Sequence, residues 1–146
     1  MIKVRDFSPR DTDTICAFKA ESVKSSHPEC DFDTGLFRRL LMRDAAKNPA
    51  HVKVAEGDGG RIVGYVWFRE VESDVGRFGR VEHIFVEEGR RGTGIGKALM
   101  EEAEKCLRAS GIRKVKLTVT NGNSGAISLY GGMGYHPKGL KMEKDL

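Results

Sequence analysis

Val81-Glu82-His83-Ile84-Phe85-Val86-Glu87-Glu88-Gly89-Arg90-Arg91-Gly92-Thr93-Gly94-Ile95-Gly96-Lys97 is the stretch on which the fold turns, and it continues to Leu107. Its first six residues are β-rich and mostly apolar. Four glycines then fall within eight positions, Gly89 to Gly96. Beyond them Ile95, Leu99, Ala103, Cys106 and Leu107 recur at spacings of three and four, which predicts a helix with one apolar face. Strand, glycine-rich turn and helix in that order gather unpaired backbone N–H groups at the positive end of a helix dipole. Such a point is an anion site, and a phosphate or pyrophosphate is its natural occupant. Arg90 and Arg91 stand beside it and add charge-assisted donors.

Two common phosphate loops are excluded. The dinucleotide fingerprint G-x-G-x-x-G fails because Gly92 and Gly94 are followed by Lys97 at the third glycine. The nucleotide-triphosphate loop fails twice, with Arg91 where its first glycine belongs and Ala98 where its hydroxyl residue belongs. What remains is Arg91-x-x-Gly94-x-Gly96 behind an apolar strand. This resembles the central acyl-coenzyme A motif of the GNAT superfamily of N-acyltransferases. Further on, Asn123-x-x-Ala126-x-x-x-Tyr130-x-x-x-Gly134-Tyr135 looks like the second signature of that superfamily, in the right order. The resemblance runs from about Arg61 to Met142; residues 1–60 match only as strand-helix-helix-strand. Gly131-Gly132 stands where longer polar residues are usual, which predicts a short or early-fraying helix.

The resemblance implies an α/β (α+β) fold: a single GNAT-like domain over residues 1–146, a mixed sheet of six to seven strands, and about four helices on both faces. It implies acetyl-coenzyme A as cosubstrate, direct acetyl transfer to a primary amine, and no metal. Cofactor contacts then fall on Ile84, Phe85 and Val86, on Arg91, Gly92, Thr93, Gly94, Ile95, Gly96 and Lys97, and on Asn123, Ala126 and Tyr130. The Tyr130 hydroxyl, with a pKa of about 10, suits protonation of a leaving sulfur; packing of the last helix is the alternative. By strand alternation Glu82, Ile84 and Val86 share one face, and Val81, His83 and Phe85 the other. A carboxylate buried on so apolar a strand is a candidate base, directly or through water. A wet-face residue or an ion pair is the equal alternative for Glu82. His83 is read as a packed histidine. A non-catalytic acyl-coenzyme A sensor is the rival function, and Tyr130 together with a base speaks against it.

The rest of the chain is read around this unit. Ile2 and Val4 suggest a short first strand. Ile15, Phe18, Ser22 and Val23 form a helical stripe after Asp11 or Asp13, and a second helix is predicted over Thr34–Lys47. Between them Glu29, Asp31 and Phe32, with Asp33, form an acidic loop around an aromatic. It either receives a cationic acceptor, as the resemblance implies, or is solvated with Asp33 or Thr34 capping the helix. Residues 51–56 and 61–70 read as strands joined by a glycine turn. Gly64 marks a bulge or a close backbone approach. Residues 72–79 read as a loop and potential flap. Ile112–Val119 reads as a strand parallel to the central one, and two more strands are expected at Tyr135-His136 and Leu140–Glu143.

Composition sets the remaining bounds. A chain of 146 residues buries roughly 68% of its unfolded surface. A net charge of +4 without a basic run disfavours nucleic acid as a partner. No apolar run approaches a membrane span, and none at the N-terminus resembles a signal sequence, so a cytoplasmic location is expected. Cys16, Cys30 and Cys106 lack metal-ligand spacing. The expected partners are an amine, small molecule or peptide, and, from the family, a second copy in a homodimer.

Overall fold

The computed structural model describes residues 1–146. Its sheet has five strands in the order β1-β2-β3-β4-β5. They are β1 (Lys3–Asp6), β2 (Val52–Glu56), β3 (Ile62–Ser73), β4 (Gly76–Val86) and β5 (Val115–Lys116). The first four pair antiparallel, and β5 joins β4 in parallel. Helices α1 (Thr12–Ser26), α2 (Thr34–Lys47), α3 (Ile95–Ala109) and α4 (Ser124–Gly132) complete the mixed architecture. No helix is long and apolar enough to cross a membrane.

The sheet is covered on both faces because its central strands alternate between two apolar sets. Tyr65, Trp67, Val52, Val54 and Phe85 meet Ile15 and Cys16 of α1 and Phe37, Leu41 and Ala45 of α2. Val66, Phe68 and Val81 meet Leu99, Met100, Ala103 and Leu107 of α3 and Tyr130 of α4. Leu41, Leu99 and Phe68 are fully buried, and each such side chain contributes about 1.5–3 kcal/mol. Arg5 ties the N-terminal edge together, its guanidinium reaching Asp11 at 2.9 Å and Glu56 at 2.5 Å.

Five strands replace the six to seven expected. Leu117 and Val119 do pack inward as their alternation requires. They lack a ladder because β5 meets β4 only at Gly79/Val115 and Arg80/Lys116. The two C-terminal strands also do not form. Leu140 is 90% exposed and Met142 85%, so that alternation has no surface to bury and nothing to fix its register. Tyr135 is held instead by its hydroxyl, which donates to Glu104 of α3 at 2.6 Å. The expected flap at 72–79 is the end of a long hairpin. Ser73 pairs with Gly76, and the Ser73 hydroxyl donates to the Gly76 carbonyl at 2.8 Å. α4 is short, as expected, its 9 residues ending at Gly132, though Gly131 and Gly132 themselves stay helical.

Both readings of Gly64 hold. The β2–β3 register steps beside it, and a Cβ there would lie 2.7 Å from the Phe85 carbonyl oxygen. Backbone cannot yield as a side-chain tip can. Gly64→Ala is therefore expected to cost about 1–3 kcal/mol, read as a lower urea midpoint. Gly139→Ala, which meets nothing within 4 Å, should stay within about 0.5 kcal/mol of the parent.

Candidate active site

The cleft begins with one extra residue. Trp67 faces His83 and Phe68 faces Val81, so Glu82 is a bulge on β4. A bulge bends its strand and resets which residues share a face. Val81, Ile84 and Val86 therefore all lie on the α3 side, while Phe85 lies on the α1–α2 side. This corrects the simple alternation, and Glu82 is not on the face of Ile84 and Val86. Its carboxylate is no buried lone charge either, since Arg69 on β3 binds it at 2.7 Å.

Beyond Arg80 the outer edge of β4 has no strand beside it. The Glu87 N–H donates to the Val63 carbonyl at 2.8 Å. By alternation of an antiparallel ladder, Phe85 also directs its backbone to β3, and Ile84 and Val86 direct theirs to the open edge. Of the three strand residues predicted to touch cofactor, Phe85 thus offers no edge group. Its ring instead stacks on Phe18 at 4.8 Å and lies under the Arg91 guanidinium at 5.4 Å. The Val86 carbonyl accepts a hydrogen bond from Arg91 Nε at 2.8 Å.

The glycine turn gives the cleft its floor. Gly92 and Gly94 adopt φ of 76° and 90°, left-handed values that favour glycine. The first helical bond is Ala98 N–H to the Gly94 carbonyl at 3.0 Å. The N–H groups of Gly92, Thr93, Gly94, Ile95, Gly96 and Lys97 donate to no backbone carbonyl. No acidic residue occupies the first turn of α3, so its dipole meets no competing carboxylate. The Thr93 hydroxyl turns back to the Arg90 carbonyl, and Lys97 leans toward Glu101 at 3.8 Å. The donor set suits a pyrophosphate and the strand edge suits an extended amide arm, so the residues present fit coenzyme A.

α4 forms the far wall. Asn123 caps it, its side-chain oxygen accepting the Ala126 N–H at 3.2 Å. A Cβ on Gly96 would stand 3.3 Å from Leu129 Cδ2, so glycine there lets α4 close on the start of α3. Tyr130 is buried in the apolar cluster that holds Ile95 and Leu99, and Ile84 and Val86 pack against that cluster. Its ring meets Tyr135 edge-on at 5.8 Å. Burial raises its pKa, which keeps the proton on a hydroxyl that no group of the chain engages.

The α1–α2 side holds an arrangement the sequence did not reveal. His83 Nδ1 contacts the Tyr65 hydroxyl, and Nε2 meets Ser22 Oγ at 3.3 Å. Burial, aided by Lys19, lowers the His83 pKa to about 3. This is the packed, neutral histidine expected. Lys19 itself is half-buried with its ammonium 5.9 Å from the Phe37 ring centre, and burial lowers its pKa. In the acidic loop Asp33 is a helix cap, accepting the Leu36 N–H at 2.9 Å. Glu29 and Asp31 are exposed, and Phe32 is partly buried against Phe37. Neither Tyr130 nor that loop contacts Glu82 by any hydrogen bond or ion pair. No group of three or more His, Cys, Asp or Glu side chains is placed to hold a metal.

Residues 13–135, which include the glycine turn, α3 and α4, match the model of the Acetyltransferase (GNAT) family. The chain belongs to that family. It is 30% identical over 138 residues to the mycothiol acetyltransferase of Thermobispora bispora, covering 92% of this chain and 46% of the relative. This chain thus spans about half the length of the curated relatives it matches first. Among solved GNAT-like structures, a predicted acetyltransferase with acetyl-coenzyme A from Clostridium acetobutylicum superposes with a TM-score of 0.80 at 18% identity, covering 99% of this chain and 96% of that one. Chaetomium thermophilum Naa20, in complex with a bisubstrate analogue, gives 0.74 at 26% identity, covering 92% and 70%.

His83 gives this GNAT chain a measurable pH signature. Its unfolded imidazole takes a proton below about 6.5, whereas the folded one resists until about 3. The unfolded state binds more protons across that window, so stability falls as pH drops through it. The urea midpoint should decline between pH 7 and 5, and His83→Gln should flatten that decline. An equal decline in both proteins would rule out the neutral, buried imidazole.

Proposed function

We propose that this chain transfers the acetyl group of acetyl-coenzyme A directly to a primary amine, with a cationic small molecule or a peptide as acceptor. The observation that carries this reading is Tyr130, its hydroxyl free of any hydrogen bond within the chain, in the same apolar cluster as Ile95 at the start of α3, a cluster against which Ile84 and Val86 also pack. Bound acetyl-coenzyme A supplies an activated acyl thioester. The Ile84 and Val86 main chains pair with its amide arm and direct an N–H toward the thioester oxygen. The amides of Gly92, Thr93, Gly94, Ile95, Gly96 and Lys97 hold the phosphates, with Arg91 turning from the Val86 carbonyl to add its charge. Asn123 and Ala126, through the cap they form, fix the direction of α4 and hence of Tyr130.

Two proton transfers fall to this chain. Tyr130 donates its hydroxyl proton to the departing sulfur, a role its burial supports. Glu82, aimed by Arg69, takes the amine proton through water, which reaches its partly exposed carboxylate on the bulge. The exposed carboxylates of Glu29 and Asp31, with Phe32 beside them, form the acceptor approach and attract a positively charged amine.

A panel of amines with acetyl-coenzyme A, followed by free-thiol release, tests the assignment; silence across cationic amines and peptides alike would end it. Tyr130→Phe should cut kcat by roughly 10²-fold while the Kd for coenzyme A stays within about twofold. Unchanged turnover removes the acid role. Glu82→Gln should slow the reaction chiefly below the pKa of the amine, and a pH–rate profile matching the parent would acquit Glu82.

A further inference from the structure

On the α1–α2 side of the sheet a hydrogen-bonded chain runs outward from the core and fixes the direction of its own protons. The Tyr65 hydroxyl is fully buried and meets no partner but His83 Nδ1. A buried hydroxyl gives its proton to the acceptor it has, so Tyr65 donates to Nδ1. The neutral imidazole carries one N–H, which then sits on Nε2 and donates to Ser22 Oγ at 3.3 Å. Ser22 accepts there, so its own hydroxyl proton is turned away from His83, and no group of the chain receives it.

Lys19 brings a charge to the same place. It stands three residues before Ser22 on α1 and so shares that side of the helix, and its charge helps keep His83 neutral. Lys19 and Ser22 are both half-buried and within reach of solvent. Lys19 forms no ion pair, and its ammonium has only the Phe37 ring, 5.9 Å away. Carboxylates of the surrounding elements are committed elsewhere: Glu29 faces His27 at 3.9 Å, Asp33 caps α2, and Asp44 accepts from the Trp67 indole at 3.1 Å. A half-buried ammonium without a counterion leaves its desolvation uncompensated, and an anion beside it restores the balance. One charged and one neutral donor on the same side of α1 suit a carboxylate; a phosphate dianion calls for more charge. His83 immediately precedes Ile84 at the open edge of β4, which sets these donors one imidazole away from that strand.

We propose that Lys19 and Ser22 select an acceptor that carries a carboxylate beside its amine, as an α-amino acid does. The carboxylate binds the Lys19 ammonium and the Ser22 hydroxyl, while the amine faces the thioester at the Ile84 edge. This narrows the small-molecule acceptor and rests on the acetyltransferase reading above. Neither Lys19 nor Ser22 moves a proton in the reaction, and His83 and Tyr65 are positioning residues that aim the Ser22 hydroxyl.

The test measures kcat/KM with acetyl-coenzyme A for the protein amino acids and for their α-carboxamides, which keep the amine and lose the charge. The best amino acid should exceed its amide in the parent. Lys19→Met should lower that ratio by roughly tenfold, through KM with kcat kept, and Lys19→Arg should restore most of it. Ser22→Ala should lower the ratio by about threefold, and Ser22→Thr should not. Comparing ratios between proteins cancels the difference in amine basicity. A kcat loss in Lys19→Met shared equally by acid and amide marks a general base or a structural lysine and overturns the proposal. So does a parent that acetylates amides or carboxylate-free amines as well as amino acids, and in that case acetyl transfer itself stands. If no amine is acetylated the acetyltransferase reading falls, and titration calorimetry of the coenzyme A-loaded protein decides the carboxylate seat. Heat with an amino acid that Lys19→Met abolishes upholds it; no heat, or equal heat with the amide, overturns it.

Discussion

β4 must serve two neighbours that part company. On one edge it follows β3 from Gly76 to Val86; on the other it holds β5 for two residues and then leaves it. A strand that gives up a ladder exposes polar backbone, which is costly unless something else will use it. Here the bulge at Glu82 bends the strand at the right place, and the exposed groups at Ile84 and Val86 become the side of a cleft. The glycine turn, α3 and α4 are then arranged about that opening.

Packing turns this opening into a site of fixed shape. Leu99, Met100 and Leu107 anchor α3 to the sheet with almost no exposure, which ties the amides at its start to the sheet. The small residue at 96 lets α4 settle against that start, and the left-handed turns at Gly92 and Gly94 bring the chain into the helix without strain. The amides that open α3, the Ile84–Val86 main chain and Tyr130 thus all sit on packed elements, while the acidic loop between α1 and α2 is exposed.

Much of this was legible in residue order. The second helix falls where its pattern put it, the anion turn stands at the head of α3, and Trp67 and Phe68 do separate the two apolar layers. What misled was the assumption that alternation persists. A single inserted residue at Glu82 moves Val81 to the opposite layer, and no local signal in Val81-Glu82-His83 announces it. Likewise Leu117 and Val119 keep the period of a strand without a partner to make them one. Pairing is a property of two segments, and one segment cannot reveal it. The Ser22–His83–Tyr65 chain was invisible for the same reason, its members being brought together only by α1 crossing the sheet.

The bond from Arg91 to the Val86 carbonyl also bears on how molecules meet in solution. Exposed strand edges invite neighbouring molecules to zip onto them, and a fixed positive charge is among the surest deterrents. By lying across the margin of β4, Arg91 sets a positive charge where a neighbouring strand would otherwise pair.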